Sequence, residues 1–185
     1  MLPADAGTVL TALARGAIAR KLGVADRAQM PPRPDWLLEP GASFVTLTIG
    51  EALRGCIGSL TAWRALADDV ESNAVSAAFR DPRFPPLSKG ELADVAVEVS
   101  VLAPPEPIAF TSRDDLLRQL RPGVDGLILS GRGQRGTFLP QVWEQLPDPE
   151  DFLDHLLRKA GLPSSYWGRD VRVERYTVTA FHETP

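Results

Sequence analysis

Phe44-Val45-Thr46-Leu47-Thr48-Ile49-Gly50-Glu51-Ala52-Leu53-Arg54-Gly55-Cys56-Ile57-Gly58 is the stretch that decides the fold. Residues 44–49 alternate and are rich in β-branched and aromatic types, the pattern of a half-buried strand. Gly50-Glu51 supplies a turn, and residues 53–57 return as a second strand. A hairpin here puts Cys56, the only cysteine of the chain, on a strand or at its end.

The reading extends outward from that hairpin. Residues 95–102 form the clearest strand, with Val95, Val97, Val99 and Val101 facing one way and Ala96, Glu98 and Ser100 the other. Residues 126–130 and 137–139 predict a second hairpin around a glycine- and arginine-rich tip, and residues 171–181 a long last strand. The apolar phase of that strand shifts, which points to a bulge near Glu174. Helices are expected over 5–22, 63–79, 112–120 and about 149–160. The second should stop before Asp81-Pro82. The last has Asp148 as cap, Pro149 at its first position and Gly161 with Pro163 at its end. Pro31-Pro32-Arg33-Pro34 is an extended connector. Hairpins with interspersed helices give an α+β fold: a mainly antiparallel sheet packed with helices, with room for a small second lobe.

The chain has 185 residues, 44% hydrophobic and 24% charged, which suits one ordinary domain with a sizeable core. A net charge of -4 argues against nucleic-acid binding, which needs a basic footprint. No stretch approaches the roughly 20 apolar residues of a membrane span. One cysteine excludes an internal disulfide framework and fits a reducing, cytoplasmic setting. With two histidines and one cysteine, a four-ligand zinc site is nearly excluded, and no cofactor signature is present.

Gly131-Arg132-Gly133-Gln134-Arg135-Gly136 matches the spacing of a dinucleotide fingerprint, but β-type residues and Pro140 follow where a helix should start. A hairpin tip explains it better. Asp68-Asp69 and Asp114-Asp115 lie in helix turns and are expected on solvated faces. His155 and His182 are the only imidazoles that could serve Cys56 as a base, though no spacing links either to it.

Around Cys56 two readings stand. Arg54 is a permanent cation beside a thiol and would favour the thiolate, while Gly55 and Gly58 let a ligand approach the backbone. Alternatively, this is a tightly packed strand with a small buried cysteine. Arg83 sits in the stiff loop Asp81-Pro82-Arg83-Phe84-Pro85-Pro86. Its guanidinium is either pre-organised for a ligand or part of an ion pair, through Asp81 or Glu98, that staples the loop to the sheet.

Taken in order, several segments resemble the AMMECR domain family, whose members include the AmmeMemoRadiSam system A proteins of bacteria and archaea. They are Phe44-Val45-Thr46-Leu47, Leu53-Arg54-Gly55-Cys56-Ile57-Gly58, Asp81-Pro82-Arg83-Phe84, Val99-Ser100-Val101-Leu102, Asp125-Gly126, Leu139-Pro140-Gln141-Val142 and Leu157-Arg158-Lys159-Ala160-Gly161. The resemblance implies one domain over 1–185, with residues 1–42 as an N-terminal helix and connector and 43–182 as the core. It also implies association with a Memo-type protein and a radical SAM enzyme. The cluster of that enzyme is not encoded here, since one cysteine cannot supply three thiolates.

Two functions follow. In the first, Cys56 is a nucleophile or carrier thiol activated by Arg54 together with Arg83, and Gly55 and Gly58, with Ile57 between them in the binding segment, admit a small anionic or acyl substrate to the backbone amides. In the second, the strand end and the loop bearing Asp81, Arg83 and Phe84 form a non-catalytic groove for a peptide or partner protein.

Overall fold

Alternating apolar strands and alanine-rich helices bury one face each, and both kinds of element recur along the chain. A computed structural model describes residues 2–24 and 33–183; Pro31-Pro32 of the expected connector lie outside the described residues, and Pro34 is extended. The chain forms two compact units, Met1–Leu102 with Thr179–Pro185, and Ala103–Val178. The mixture of helices and antiparallel pairings is the expected α+β class.

In the first unit, β1 (Pro40–Ile49) and β2 (Ala52–Gly58) form the expected hairpin, with Gly50 in the left-handed region at φ 59. Short β3 (Arg64–Ala65) pairs with the start of β1. The sheet runs β2-β1-β4-β9, with β4 at Val95–Leu102 and β9 at Val178–His182, so β2 is an edge. Val45, Leu47, Val95, Val97 and Val99 point into a core shared with α1 (Ala6–Leu22) and α2 (Leu66–Phe79). Gly23 closes α1 in the left-handed conformation, donating to the carbonyls of Ala19 and Arg20. Helix α2 begins at Leu66 rather than Trp63, because Arg64 and Ala65 are drawn into pairing with β1.

Asp69 departs from the solvated face expected of it. It is fully buried in the first turn of α2. Its carboxylate accepts from the Ser43 N–H and hydroxyl, the Ser59 hydroxyl, Asn73 Nδ2 and Arg64 Nε, all at 2.7–2.9 Å. Burying a charge is tolerated when its lone pairs are filled in this way. The network ties α2 to β1 and to the loop that leaves β2.

The second unit repeats the plan. Its antiparallel sheet runs β5-β8-β6-β7, with β5 at Glu106–Pro107, β6 at Gly126–Gly131, β7 at Gln134–Phe138 and β8 at Arg172–Tyr176. Helix α4 (Pro149–Lys159) lays Phe152, Leu153, Leu156 and Leu157 on Leu127, Leu129 and Val173. Its start is capped as expected, the Asp148 carboxylate accepting from the N–H groups of Glu150 and Asp151. Helix α3 (Arg113–Gln119) begins at the expected Ser112 cap. Trp143 stacks on Phe152 at 3.7 Å.

The last strand is not one strand with a bulge at Glu174. Residues 172–176 pair with β6 without interruption, Glu174 opposite Ile128, and the chain breaks at Thr177. The phase shift arises because β8 is covered on both faces. Val173 points to α4, and Tyr176 lies over Gly126 on the other side.

Candidate functional site

The site begins with the pairing of β1 and β2. Thr46 stands directly opposite Cys56. The Cys56 N–H donates to Asp81 Oδ2 at 2.9 Å, and its carbonyl accepts from Arg83 Nη2 at 3.3 Å. Both backbone groups therefore point to the free edge, which makes Thr46–Cys56 the closer, non-hydrogen-bonded type of cross-strand pair. That closeness lets the Thr46 hydroxyl donate to Cys56 Sγ at 3.3 Å. Between Leu47 and Thr48 the partner jumps from Gly55 to Leu53, so Arg54 is the extra residue of a bulge.

The loop after α2 caps this edge. Leu87 N–H donates to the Ala78 carbonyl and anchors the loop to the helix end. Asp81 is buried, and Arg83 is wrapped around it. The Arg83 N–H and Nε donate to Oδ1 at 3.1 and 3.0 Å, and Nη2 donates to Oδ2 at 2.7 Å. The Arg83 side chain holds the Asp81 carboxyl well below the usual carboxylate range, against the opposing effect of burial and with help from the Cys56 N–H. The same pairing raises Arg83 above its ordinary value. Of the two ion pairs anticipated for Arg83, the one with Asp81 forms.

Arg54 is engaged separately. Its Nε and Nη2 donate to the two oxygens of Glu91 at 2.8 and 3.3 Å, and Glu91 Oε2 also accepts from the N–H and hydroxyl of Ser88. Arg54, then the Ser88 donors, bring the Glu91 carboxyl down to about 2. Two guanidinium groups lie over the Phe84 ring, Arg83 at 5.5 Å and Arg54 at 6.0 Å from its centroid.

The two glycines around Cys56 have packing reasons. A Cβ on Gly55 would lie 2.2 Å from the Ala77 carbonyl oxygen of α2. One on Gly58 would lie 2.2 Å from the ring of Phe44, its directly opposed partner. Ile57 packs against the helix-facing core.

Arg54, Cys56, Asp81, Arg83 and Phe84 are thus one contiguous cluster, with Gly55, Ile57 and Gly58 as the strand that carries it. The histidines do not join them. His155 Nδ1 bonds to the Asp151 carbonyl on α4, and His182 Nδ1 lies 3.3 Å from Glu98. Thr46 and Glu91 are the members that sequence reasoning missed. The alternation of the hairpin could have flagged Thr46, whereas Glu91 carried only the signal of a capping box with Ser88. No group of three or more potential metal ligands occurs among the described residues. No helix among them is long and apolar enough to cross a membrane. A hollow of about 290 Å³ in the second unit, lined by Pro122, Pro140, Trp143 and Pro147, contains none of the cluster.

The family model AMMECR1 matches residues 11–181. The chain belongs to the AMMECR1 family. A protein of Methanothermobacter thermautotrophicus is 42% identical over 185 residues, covering 98% of this chain and 96% of that protein. Protein MJ0810 of Methanocaldococcus jannaschii is 36% identical over 187 residues, covering 99% and 92%. The crystal structure of the uncharacterized protein PH0010 from Pyrococcus horikoshii superimposes with a TM-score of 0.81 at 37% identity, covering 96% of this chain and 91% of that one. Within this AMMECR1 fold, the Arg54–Gly58 segment is the edge strand that the Asp81–Phe84 loop closes.

Proposed function

We propose that this AMMECR1-family chain is a recognition module. The outer edge of β2, together with the Asp81–Phe84 loop, receives an anionic group on a peptide or partner protein. The module works in a modification system with a Memo-type protein and a radical SAM enzyme, the association that the family resemblance implies.

The observation that carries this reading is the posture of Arg83. Its side chain is 53% exposed, yet Nε and Nη2 are fixed by a buried carboxylate. Nη1 has no protein partner among the described residues. A cation held so that its free donors need no reordering is suited to bind a carboxylate or phosphate. Phe84 adds an aromatic surface beside it.

A second reading keeps Cys56 as a nucleophile or carrier thiol. It is favoured by the Thr46 hydroxyl, which donates to Sγ and orients it. Arg54 is committed to Glu91, however, and no imidazole or carboxylate bonds Sγ among the described residues. Recognition is therefore the reading adopted.

The test is co-expression with the Memo-type and radical SAM proteins of the same genome, followed by co-purification. Arg83→Ala and Phe84→Ala should lose the partners while the fold is kept. Retention of every partner by both variants would sink the recognition reading. Full activity of Cys56→Ser in cells lacking the native gene would remove the thiol reading.

A further inference from the structure

Arg132 has φ 50, and it is the one non-glycine in the left-handed region among the described residues. With Gly133 at φ 71 it forms the two-residue turn of the β6–β7 hairpin, a position where glycine or asparagine is favoured. An arginine stands there against its backbone preference, so the surrounding contacts must hold it.

Its surroundings are stiff. The Arg132 N–H donates to Asp170 Oδ2 at 2.6 Å, and the Tyr166 hydroxyl donates to Asp170 Oδ1. A Cβ on Gly168 would lie 2.3 Å from that hydroxyl, so the 166–170 loop is closely packed. Asp170 is thereby occupied by an amide and a phenol. The Arg132 guanidinium instead lies 4.4 Å over the Tyr166 ring.

A second set of cations lies on the strands. Arg135, Ser130 and Arg172 stand opposite one another across β7, β6 and β8, so they share one face of the sheet. Arg172 donates through Nη1 to the carbonyls of Arg169 and Val171. The acid nearest Arg135 is Glu174, at 3.9 Å. Among the described residues no carboxylate lies within 4.0 Å of the guanidinium of Arg132, Arg169 or Arg172. Four arginines against Asp170 and Glu174 leave a positive end on a chain whose net charge is -4.

We infer that this end of the second unit binds a small phosphoryl polyanion, with Arg135 and Arg172 gripping it from either side of Ser130; Arg132, stacked on Tyr166 over the opposite face, where Gly131 meets that ring, stays outside the grip. Two strand spacings separate the flanking arginines by about 10 Å at the backbone. Side chains leaning inward over that distance suit two linked charged groups better than one compact ion. The planar guanidinium fork matches phosphoryl oxygens.

The test is calorimetric titration of the full chain with sodium pyrophosphate at fixed ionic strength, with orthophosphate and chloride in parallel. Pyrophosphate should bind more tightly than orthophosphate, and chloride should give no saturable signal. Arg135→Ala with Arg172→Ala should weaken pyrophosphate by about 10-fold or more. Arg132→Gly suits the turn and removes a cation of the opposite face, so it should leave pyrophosphate affinity within about two-fold. Equal responses to chloride and pyrophosphate, or unchanged affinity in the double variant, would overturn the site. So would displacement of pyrophosphate by a 20-nucleotide single-stranded RNA at lower concentration, which would make it a nucleic-acid surface. A loss of affinity of about ten-fold in Arg132→Gly would put the anion at the hairpin tip and overturn the grip across Ser130.

Discussion

The β1–β2 and β6–β7 hairpins solve the same packing problem with the same parts. In each, a helix passes so close to the second strand that only glycine fits. A Cβ on Gly55 would meet the Ala77 carbonyl at 2.2 Å, and one on Gly136 would meet Ala160 at 2.9 Å. In each sheet, a glycine of the hairpin accommodates the aromatic ring of its directly opposed partner, Gly58 under Phe44 of the same hairpin and Gly126 under Tyr176 of the neighbouring β8. They differ in register. The β6–β7 pairing is unbroken, whereas β1–β2 slips at Arg54, and side chains from another loop bond the backbone of its edge at Cys56. The glycines beside Cys56 are therefore hairpin parts found again in the second unit. What sets the Cys56 edge apart is the bulge and the charged loop.

The strongest way to break this comparison is to add the missing methyl groups. Gly55→Ala should cost about 3 kcal/mol, because the obstacle is helix backbone that cannot swing aside. Gly136→Ala should cost about 1–2 kcal/mol, the contact being less severe. Urea unfolding of the two variants would show it. A neutral Gly55→Ala would show that α2 can move away from β2 at little cost.

The charged loop gives the next largest effect. Asp81→Ala leaves the Cys56 N–H and the Arg83 guanidinium without their buried acceptor, and should cost about 2 kcal/mol. The acid limb of stability should carry the same signature. Asp81 and Glu91 both have folded values below their ordinary ones, Glu91 at about 2. Their contribution is complete above the unfolded value of about 4 and is lost as pH falls toward the folded value. Stability should thus decline from about pH 5 to pH 2, and the decline should be shallower in Asp81→Asn and in Glu91→Gln. An unchanged slope of thermal midpoint against pH in both variants would count against the two ion pairs.

Much of the fold was legible because its signals are local. The alternation of residues 44–49, the valines of β4 and the Asp148, Pro149 and Gly161 stops of α4 each report on their own few neighbours. Three features were not legible, for one shared reason. Asp69 is buried by Ser43 and Ser59, the α2 start is trimmed by pairing of Arg64–Ala65 with β1, and Thr177 divides strands that enter different sheets. All depend on partners distant in sequence. At the site, Gly55 and Gly58 could be read either as points of ligand access or as parts of a tightly packed strand, a choice the sequence left open because the Ala77 carbonyl and the Phe44 ring that each would meet are brought there by packing.

Tyr176 sharpens the comparison further. Its hydroxyl bonds to Thr137 Oγ1 and to the Phe138 carbonyl, so its ring covers Gly126 while its tip holds β7. Phe44 has no such tip. Tyr176→Phe should cost about 1 kcal/mol, the ordinary worth of a hydrogen bond at a buried residue. Phe44→Leu should cost about the same through lost packing over Gly58. A Tyr176→Phe variant as stable as the parent would show that ring packing alone holds β7.

The smallest expected effect concerns chemistry rather than stability. Thr46 and Cys56 meet closely because the Cys56 backbone groups face outward to Asp81 and Arg83, so the thiol environment is set by the edge loop. The Thr46 hydroxyl is the donor to Sγ, and Thr46→Val removes it at nearly constant shape. Loss of a hydrogen bond of about 0.5–1 kcal/mol that orients Sγ corresponds to a few-fold change in alkylation rate. Iodoacetamide labelling of folded protein across pH 6–10 would measure this. A few-fold change of rate in Thr46→Val, and again in Arg83→Ala, would join the charged edge to the thiol and revive its chemical reading. Equal rates in both variants would leave Cys56 as the strand residue whose backbone, not whose sulfur, the site uses.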